Sequence, residues 1–151
     1  MLPECLKWVK NNLKTFRGKD VSVFETTIRV IGGLLSAYHL KGENVFLEKA
    51  KLVADKLMVA FDQSPTDIPL CSVDMTQNRA FGPSWNGAMS SVSEVGSIQL
   101  EWQDLSRATG DPIYRQVVDN AMSKISLFDV ILTSRCTVIV AIIGPLVHQV
   151  H

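Results

Sequence analysis

VFETTIRVIGGLLSAY, residues 23–38, has the apolar spacing of a helix that is buried along one face. Glu25 and Arg29 are four residues apart, so in a helix their side chains lie on one face within reach of each other. The stretch therefore predicts an apolar helix that carries an ion pair near its start. Its large apolar side chains recur at steps of three and four, the period of a helix face: Phe24, Ile28, Ile31, Leu35 and Tyr38.

Two features of this helix have more than one explanation. Gly32 and Gly33 in mid-helix each cost roughly 1 kcal/mol relative to alanine, which favours close backbone packing or a nearby ligand. Glu25 and Arg29 are either a solvated ion pair, contributing about 0.3–0.5 kcal/mol, or the charged groups of a functional site. Spacing alone leaves both explanations open.

Composition places the chain among ordinary globular proteins. Its 151 residues are 46% hydrophobic and 20% charged, which suits one domain with a sizeable core. Fifteen basic residues balance fifteen acidic ones, and basic residues do not cluster with aromatic ones. A nucleic-acid partner is therefore not expected.

The cysteines and the two ends of the chain give little information about its compartment. Three cysteines, widely spaced, form neither a zinc motif nor a complete disulfide framework. The first residues lack the apolar core of a signal peptide, so we expect the targeting segment to be absent from this chain. Residues 136–147 are strongly apolar but shorter than the roughly 20 residues that span a bilayer, so we expect no transmembrane segment there.

The pattern of the chain predicts five helices, at residues 3–14, 23–41, 44–61, 92–108 and 112–126. Residues 65–91 form a long connection with a short strand near residues 70–75. GENVF at residues 42–46 and GDPIY at residues 110–114 share a glycine, an acidic residue and an aromatic residue in the same order, each between two helices. This similarity indicates a repeated helical hairpin.

Several blocks together resemble the class I α-1,2-mannosidases, glycoside hydrolase family 47. They are FETTIR at residues 24–29, GGLLSAYHL at 32–40, SEVGSIQLEW at 93–102 and LSRATGD at 105–111. The resemblance implies an all-α fold in which helical hairpins form part of an (α/α)7 barrel, with about two of the seven hairpins present. It covers residues 1–122 as a partial catalytic domain, whereas residues 123–151 form a divergent apolar tail.

The resemblance also implies roles for individual residues. Glu25 matches the position of the family's general acid, Arg29 an arginine that contacts the glycan, and Glu94 a carboxylate in the sugar-binding cavity. Glu101 is either a further cavity group or a solvated charge, and we expect the latter. Trp85 in the long connection is expected either near the substrate or in a surface insertion.

By the same resemblance, the activity is inverting, calcium-dependent hydrolysis of α-1,2-linked mannose in high-mannose N-linked oligosaccharides. The expected location is the secretory pathway, in the endoplasmic reticulum or Golgi. The direct calcium ligand and the general base are not in this chain, so we expect the isolated chain to be inactive and to hold no metal site. The alternative is a non-catalytic helical-repeat or mannose-glycan-binding module in which Glu25 and Arg29 are structural.

Overall fold

The structure is a computed structural model that describes residues 2–13, 20–82 and 90–132, with side chains described for residues 4, 6–13, 20–82 and 90–126. Helices dominate it, as predicted. They are α1 (Leu2–Asn12), α2 (Val23–Thr26), α3 (Gly32–Lys41), α4 (Asn44–Leu57), α5 (Val59–Asp62), α6 (Val92–Ser97), α7 (Gln99–Thr109) and α8 (Ile113–Leu132).

The predicted helix at residues 23–41 is present, but it is not α-helical throughout. A π-helical turn, Thr27–Ile31, joins α2 to α3. The predicted helices at 44–61 and 92–108 are each interrupted once, between α4 and α5 and between α6 and α7. The last helix continues to Leu132, beyond the predicted end at residue 126.

The helices pack in two layers. The helix formed by α2, the π turn and α3 lies beside the one formed by α6 and α7. Behind them, α4 packs against α3, α7 and α1, and α8 packs against α7 and α6. The hydrophobic core therefore lies between the layers, and one face of the first layer is left free of the core.

An aromatic cluster fills the centre of this core. Trp102 of α7 is fully buried and meets Phe61 edge-on, with ring centroids 4.9 Å apart. Tyr114 of α8 is also fully buried, at 6.1 Å from Trp102. The indole Nε1 of Trp102 donates a hydrogen bond of 3.2 Å to Oγ1 of Thr27, which is itself fully buried. A polar bond thus ties the core tryptophan to the first residue of the π turn.

Glycine ends both helices of the first layer in the same way. Gly42 and Gly110 adopt left-handed backbone conformations, with φ of 70° and 73°. Their amides donate to the carbonyls of Tyr38 and Ser106, at 2.7 and 2.9 Å. Residues with a side chain rarely adopt this conformation, which explains the glycine at each helix end. These two equivalent helix ends confirm the predicted hairpin repeat.

A small antiparallel sheet closes the end at which α2 begins. The strands are β1 (Val21–Ser22), β2 (Ser72–Asp74) and β3 (Arg79–Phe81), in the order β1-β2-β3. Strand β2 confirms the strand expected near residues 70–75, whereas β1 and β3 were not predicted. Val73 pairs with Val21 on one side and Ala80 on the other. Because β1 leads directly into α2, the sheet anchors the start of that helix.

The hydroxyl of the buried Tyr114 and two partly exposed charged residues join α4 to α8. Tyr114 donates a hydrogen bond of 2.5 Å to Asp55 and accepts one of 2.7 Å from Lys51. Burial, together with the bond to Asp55, raises the pKa of the Tyr114 hydroxyl. The bond to Tyr114 and the nearby carboxylates raise the pKa of Lys51 against the effect of burial.

A second polar cluster joins α3 to α7. Asp104 accepts a hydrogen bond from Arg107, at 2.6 Å, and pairs with Nε2 of His39, at 2.7 Å. Burial disfavours the charged form of Asp104, but the bonds from Arg107 and His39 outweigh it, so the pKa of Asp104 is lowered. The His39 side chain is half-exposed in this pair.

The Asp104 cluster predicts a dependence of stability on pH. Because the folded-state pKa lies below the value of about 3.9 in an unfolded chain, its stabilisation is present above about pH 4 and is lost as the pH falls. Asp104→Asn should lower the free energy of unfolding by about 1 kcal/mol at pH 7, and this difference should shrink progressively as the pH falls below about 4. Urea unfolding at several pH values measures this. The exposed Asp62→Asn is the control, and a pH-independent difference for Asp104→Asn would contradict the prediction.

The buried bond between Thr27 and Trp102 predicts a large penalty for removing one partner. Thr27→Val keeps the side-chain shape but leaves the indole N–H buried without an acceptor, which should cost about 1–3 kcal/mol. Adding Trp102→Phe should cost less than the sum of the single changes, because no unpaired group remains from this bond. Thr26→Val on the same helix is the matched control. Additive losses in urea unfolding would show that the bond does not couple the two side chains.

Candidate functional site

Glu25 and Arg29 form the ion pair that their spacing predicts. Nε of Arg29 contacts Oε2 of Glu25, and the side chains of Arg29 and Glu25 are 74% and 48% exposed. They lie on the free face of the first layer, since Thr27 and Ile31 of the same helix turn into the core. The pair is therefore accessible from outside the described part of the chain, as a group that meets a ligand must be.

The helix cap at the start of α2 uses the backbone amide of Glu25 and leaves its carboxylate out of the cap. Ser22 is the N-cap, and its side chain accepts a hydrogen bond of 3.2 Å from the Glu25 amide. This cap satisfies one of the backbone N–H groups that a helix start leaves free. The side chain of Glu25 turns instead toward Arg29, one turn later.

Glu94 occupies the corresponding place at the start of α6, but its carboxylate is used differently. Ser91 is the N-cap of α6, and the Ser91 amide donates to Oε2 of Glu94 at 3.3 Å in a capping box. Since α2 packs against α6, Glu25 and Glu94 lie in the first turns of two adjacent helices. The structure brings the two helix starts together, and the carboxylate of Glu94 is partly engaged in its own helix.

The sequence contains a signal for this arrangement that was not used in predicting the site. Ser-x-x-Glu, the sequence of a capping box, occurs both at Ser22 to Glu25 and at Ser91 to Glu94. Only the second forms the complete box, with both reciprocal bonds. In the second hairpin the glutamate of this pattern thus belongs to the helix cap, whereas in the first the carboxylate stays out of the cap and pairs with Arg29.

A shallow, mainly apolar cleft separates the two helix starts. Its lining includes Phe24 of α2, Leu70 and Cys71 from the connection to β2, and Val95 of α6. Glu94 is the one charged residue in its described lining. An apolar wall beside a carboxylate offers both packing area and a hydrogen-bond acceptor to a polar ligand.

Glu101 was predicted to be a solvated charge, and this prediction is wrong for one of its two oxygens. The side chain is half-buried, and its Oε2 is buried and has no hydrogen-bond partner among the described residues. Glu101 lies beside Gly32 on the neighbouring helix: a Cβ at Gly32 would be in ordinary van der Waals contact, 3.4 Å from Cγ and 3.5 Å from Oε1 of Glu101. A Cβ at Gly33 would meet nothing within 4 Å. A side chain as small as that of alanine would therefore fit at both positions, so close packing explains neither glycine.

Trp85 and a metal site were also considered in the sequence, and the structure describes only part of what bears on them. Trp85 lies outside the described residues. Within the ranges that the structure describes, no three His, Cys, Asp or Glu side chains come together as a metal site.

Comparison with known proteins follows the same blocks of sequence. A family model described as glycosyl hydrolase family 47 matches residues 2–136. A mannosyl-oligosaccharide 1,2-alpha-mannosidase of Arabidopsis thaliana is 45% identical over 121 residues, which are 80% of this chain and 21% of the relative. The endoplasmic reticulum mannosyl-oligosaccharide 1,2-alpha-mannosidase of Homo sapiens is 44% identical over 122 residues, 81% of this chain and 17% of the relative.

A solved structure agrees with these matches. The alpha-1,2-mannosidase from Trichoderma reesei matches with a TM-score of 0.71 and 35% identity, covering 81% of this chain and 27% of that one. The predicted all-α fold, helical hairpins forming part of an (α/α)7 barrel, is confirmed. This chain spans about a fifth of the length of the curated relatives named here.

The family match extends past residue 122, where the catalytic part was predicted to end. Helix α8 likewise continues to Leu132. The division into residues 1–122 and 123–151 stays a prediction, since the apolar run at 136–147 lies outside the described residues. No helix in the described part of the chain is both long and apolar enough to cross a membrane. From its sequence and its fold, the chain belongs to glycosyl hydrolase family 47.

Proposed function

We propose that this chain supplies one part of the active site of an inverting α-1,2-mannosidase that trims mannose from high-mannose N-linked oligosaccharides. The observation that carries the proposal is the accessible Glu25–Arg29 pair on the free face of the helix layer. Relatives at 44–45% identity are named mannosyl-oligosaccharide 1,2-alpha-mannosidases, which supports the same substrate class here.

In this proposal Glu25 is the general acid. Hydrolysis of a glycosidic bond requires a carboxylic acid that protonates the leaving oxygen as the bond to the sugar breaks. Glu25 suits this role because its carboxylate is not committed to the helix cap, unlike that of Glu94. Arg29 orients that carboxylate by a charge-assisted contact and has further N–H groups for glycan hydroxyls.

Glu94 binds a sugar hydroxyl in this proposal. One of its oxygens accepts the bond from the Ser91 amide, and an ionised carboxylate has further lone pairs for a ligand. Its position beside the apolar cleft would let a sugar ring pack against Phe24 while a hydroxyl donates to the carboxylate. Glu94 would thus combine a structural bond with substrate binding.

An inverting mechanism also needs a base that activates water, about 6.5–9.5 Å from the acid. By the family resemblance this base, like the calcium ligand, comes from outside the chain. We therefore propose that the 151 residues release no mannose by themselves. Calcium dependence and a location in the endoplasmic reticulum or Golgi are parts of the same proposal. The names of three mammalian relatives include the endoplasmic reticulum, which supports that compartment.

The second candidate function is a mannose-glycan-binding or helical-repeat module. It is favoured by the solvated character of the Glu25–Arg29 pair, which a purely structural ion pair would share. In that case the pair stabilises α2 slightly and takes no part in bond cleavage.

A chimaeric enzyme separates the two candidates. Residues 2–122 of this chain should replace the aligned segment of a related α-1,2-mannosidase and preserve release of mannose from a high-mannose oligosaccharide. Glu25→Gln in the chimaera removes the transferable proton and should lower kcat by about 100-fold or more. Glu48→Gln, an exposed change on α4, is the matched control and should leave kcat unchanged.

The binding-module candidate makes the opposite prediction. A chimaera that binds the oligosaccharide but cleaves none, or one in which Glu25→Gln cleaves at the original rate, would refute the catalytic role of Glu25. The isolated 151-residue chain provides a further check, because release of mannose by it would show that the missing base is not required.

A further inference from the structure

Consecutive residues of α7 contact both ends of the π turn. Trp102 donates its indole hydrogen bond to Thr27, where the turn begins. Glu101 packs against Gly32, the residue that directly follows the turn and whose amide donates to the Thr27 carbonyl. Arg29 lies between these two contacts, and its partner Glu25 lies just before them.

A π turn needs such support because its hydrogen bonding departs from that of the α-helix on either side. Single π turns within α-helices occur frequently at functional sites. An irregular local conformation persists only where the surrounding structure holds it. Here the two contacts from α7 are well placed to hold it, one by a hydrogen bond and one by packing.

The position of the Glu101 side chain costs the fold stability. Its Oε2 is buried without a hydrogen-bond partner in the described part of the chain. An unsatisfied buried acceptor lowers stability, and in a natural protein each such group calls for an explanation. A smaller or apolar side chain at this position would avoid the cost, so stability does not explain the glutamate.

We infer that Glu101 is a positioning residue: its side chain, seated against Gly32, braces the π turn and thereby holds Arg29 and Glu25 in the geometry that the proposed hydrolysis requires. This inference rests on the proposed function. In this inference Glu101 acts through the backbone of the π turn and not directly on the substrate or the reacting atoms.

Hydrogen exchange on the 151-residue chain tests the brace without any activity. Glu101→Ala removes the packing against Gly32 together with the unsatisfied oxygen. Exchange of the amides of residues 27–32 should become about tenfold faster, while the urea midpoint of the whole chain stays the same or rises. Glu101→Gln, which keeps the shape, should retain the original exchange, and the exposed Glu48→Ala is the control.

Kinetics in the chimaeric enzyme then test whether the brace serves the reaction. Glu101→Ala should lower kcat about 10- to 100-fold with KM changed less than about twofold, since misplaced catalytic groups slow the chemical step. Glu101→Gln should restore kcat to within about threefold. If Glu101 only stabilised the fold, Glu101→Ala would instead lower the urea midpoint, and kcat would not fall selectively while KM stays nearly unchanged.

Each possible result of these two experiments supports or overturns the role inferred for Glu101. Unchanged exchange at residues 27–32 in Glu101→Ala overturns the inference whatever the kinetics show. Faster exchange with unchanged kcat overturns the positioning role. If the unmutated chimaera releases no mannose, the proposed function fails, and the positioning role for that reaction fails with it, while the exchange data still show whether Glu101 braces the turn.

Discussion

The contact between the π turn and α7 is the constraint on which the rest of this structure depends. Trp102 fills the centre of the core, and its one polar side-chain atom bonds to Thr27. Because both groups are fully buried, the bond is satisfied only if the two helices meet in one register. That register fixes which residues of the first helix face the core and which face outward, and so it decides where Glu25 and Arg29 lie.

The two hairpins show how one local pattern can serve two purposes. Ser22 and Ser91 both cap helices, and each is followed three residues later by a glutamate. At Glu94 the carboxylate returns to the cap, whereas at Glu25 an arginine one turn later offers a stronger, charged partner. Position 98, the counterpart of Arg29 in the second hairpin, is the buried Ile98, which offers no such partner. A single difference in the next turn thus separates a structural glutamate from an accessible one.

The second hairpin also leaves a large apolar side chain exposed in the described part of the chain. Leu100 of α7 is 78% exposed, whereas Trp102 and Leu105 of the same helix are fully buried. Hairpins that stack side by side bury apolar positions against the next repeat. Within the described residues no further hairpin follows α8 to cover this leucine.

The sequence by itself determined the helices, the hairpin repeat and the pairing of Glu25 with Arg29, because each follows from short-range spacing. The glycines at residues 42 and 110, which end two helices, are recognisable in the repeated sequence pattern for the same reason. Only the tertiary structure decided the π turn, the burial of Oε2 of Glu101 and the bond from Trp102 to Thr27. These features arise between helices that are distant in sequence, where packing outweighs local preference and no short-range pattern records which side chains will meet.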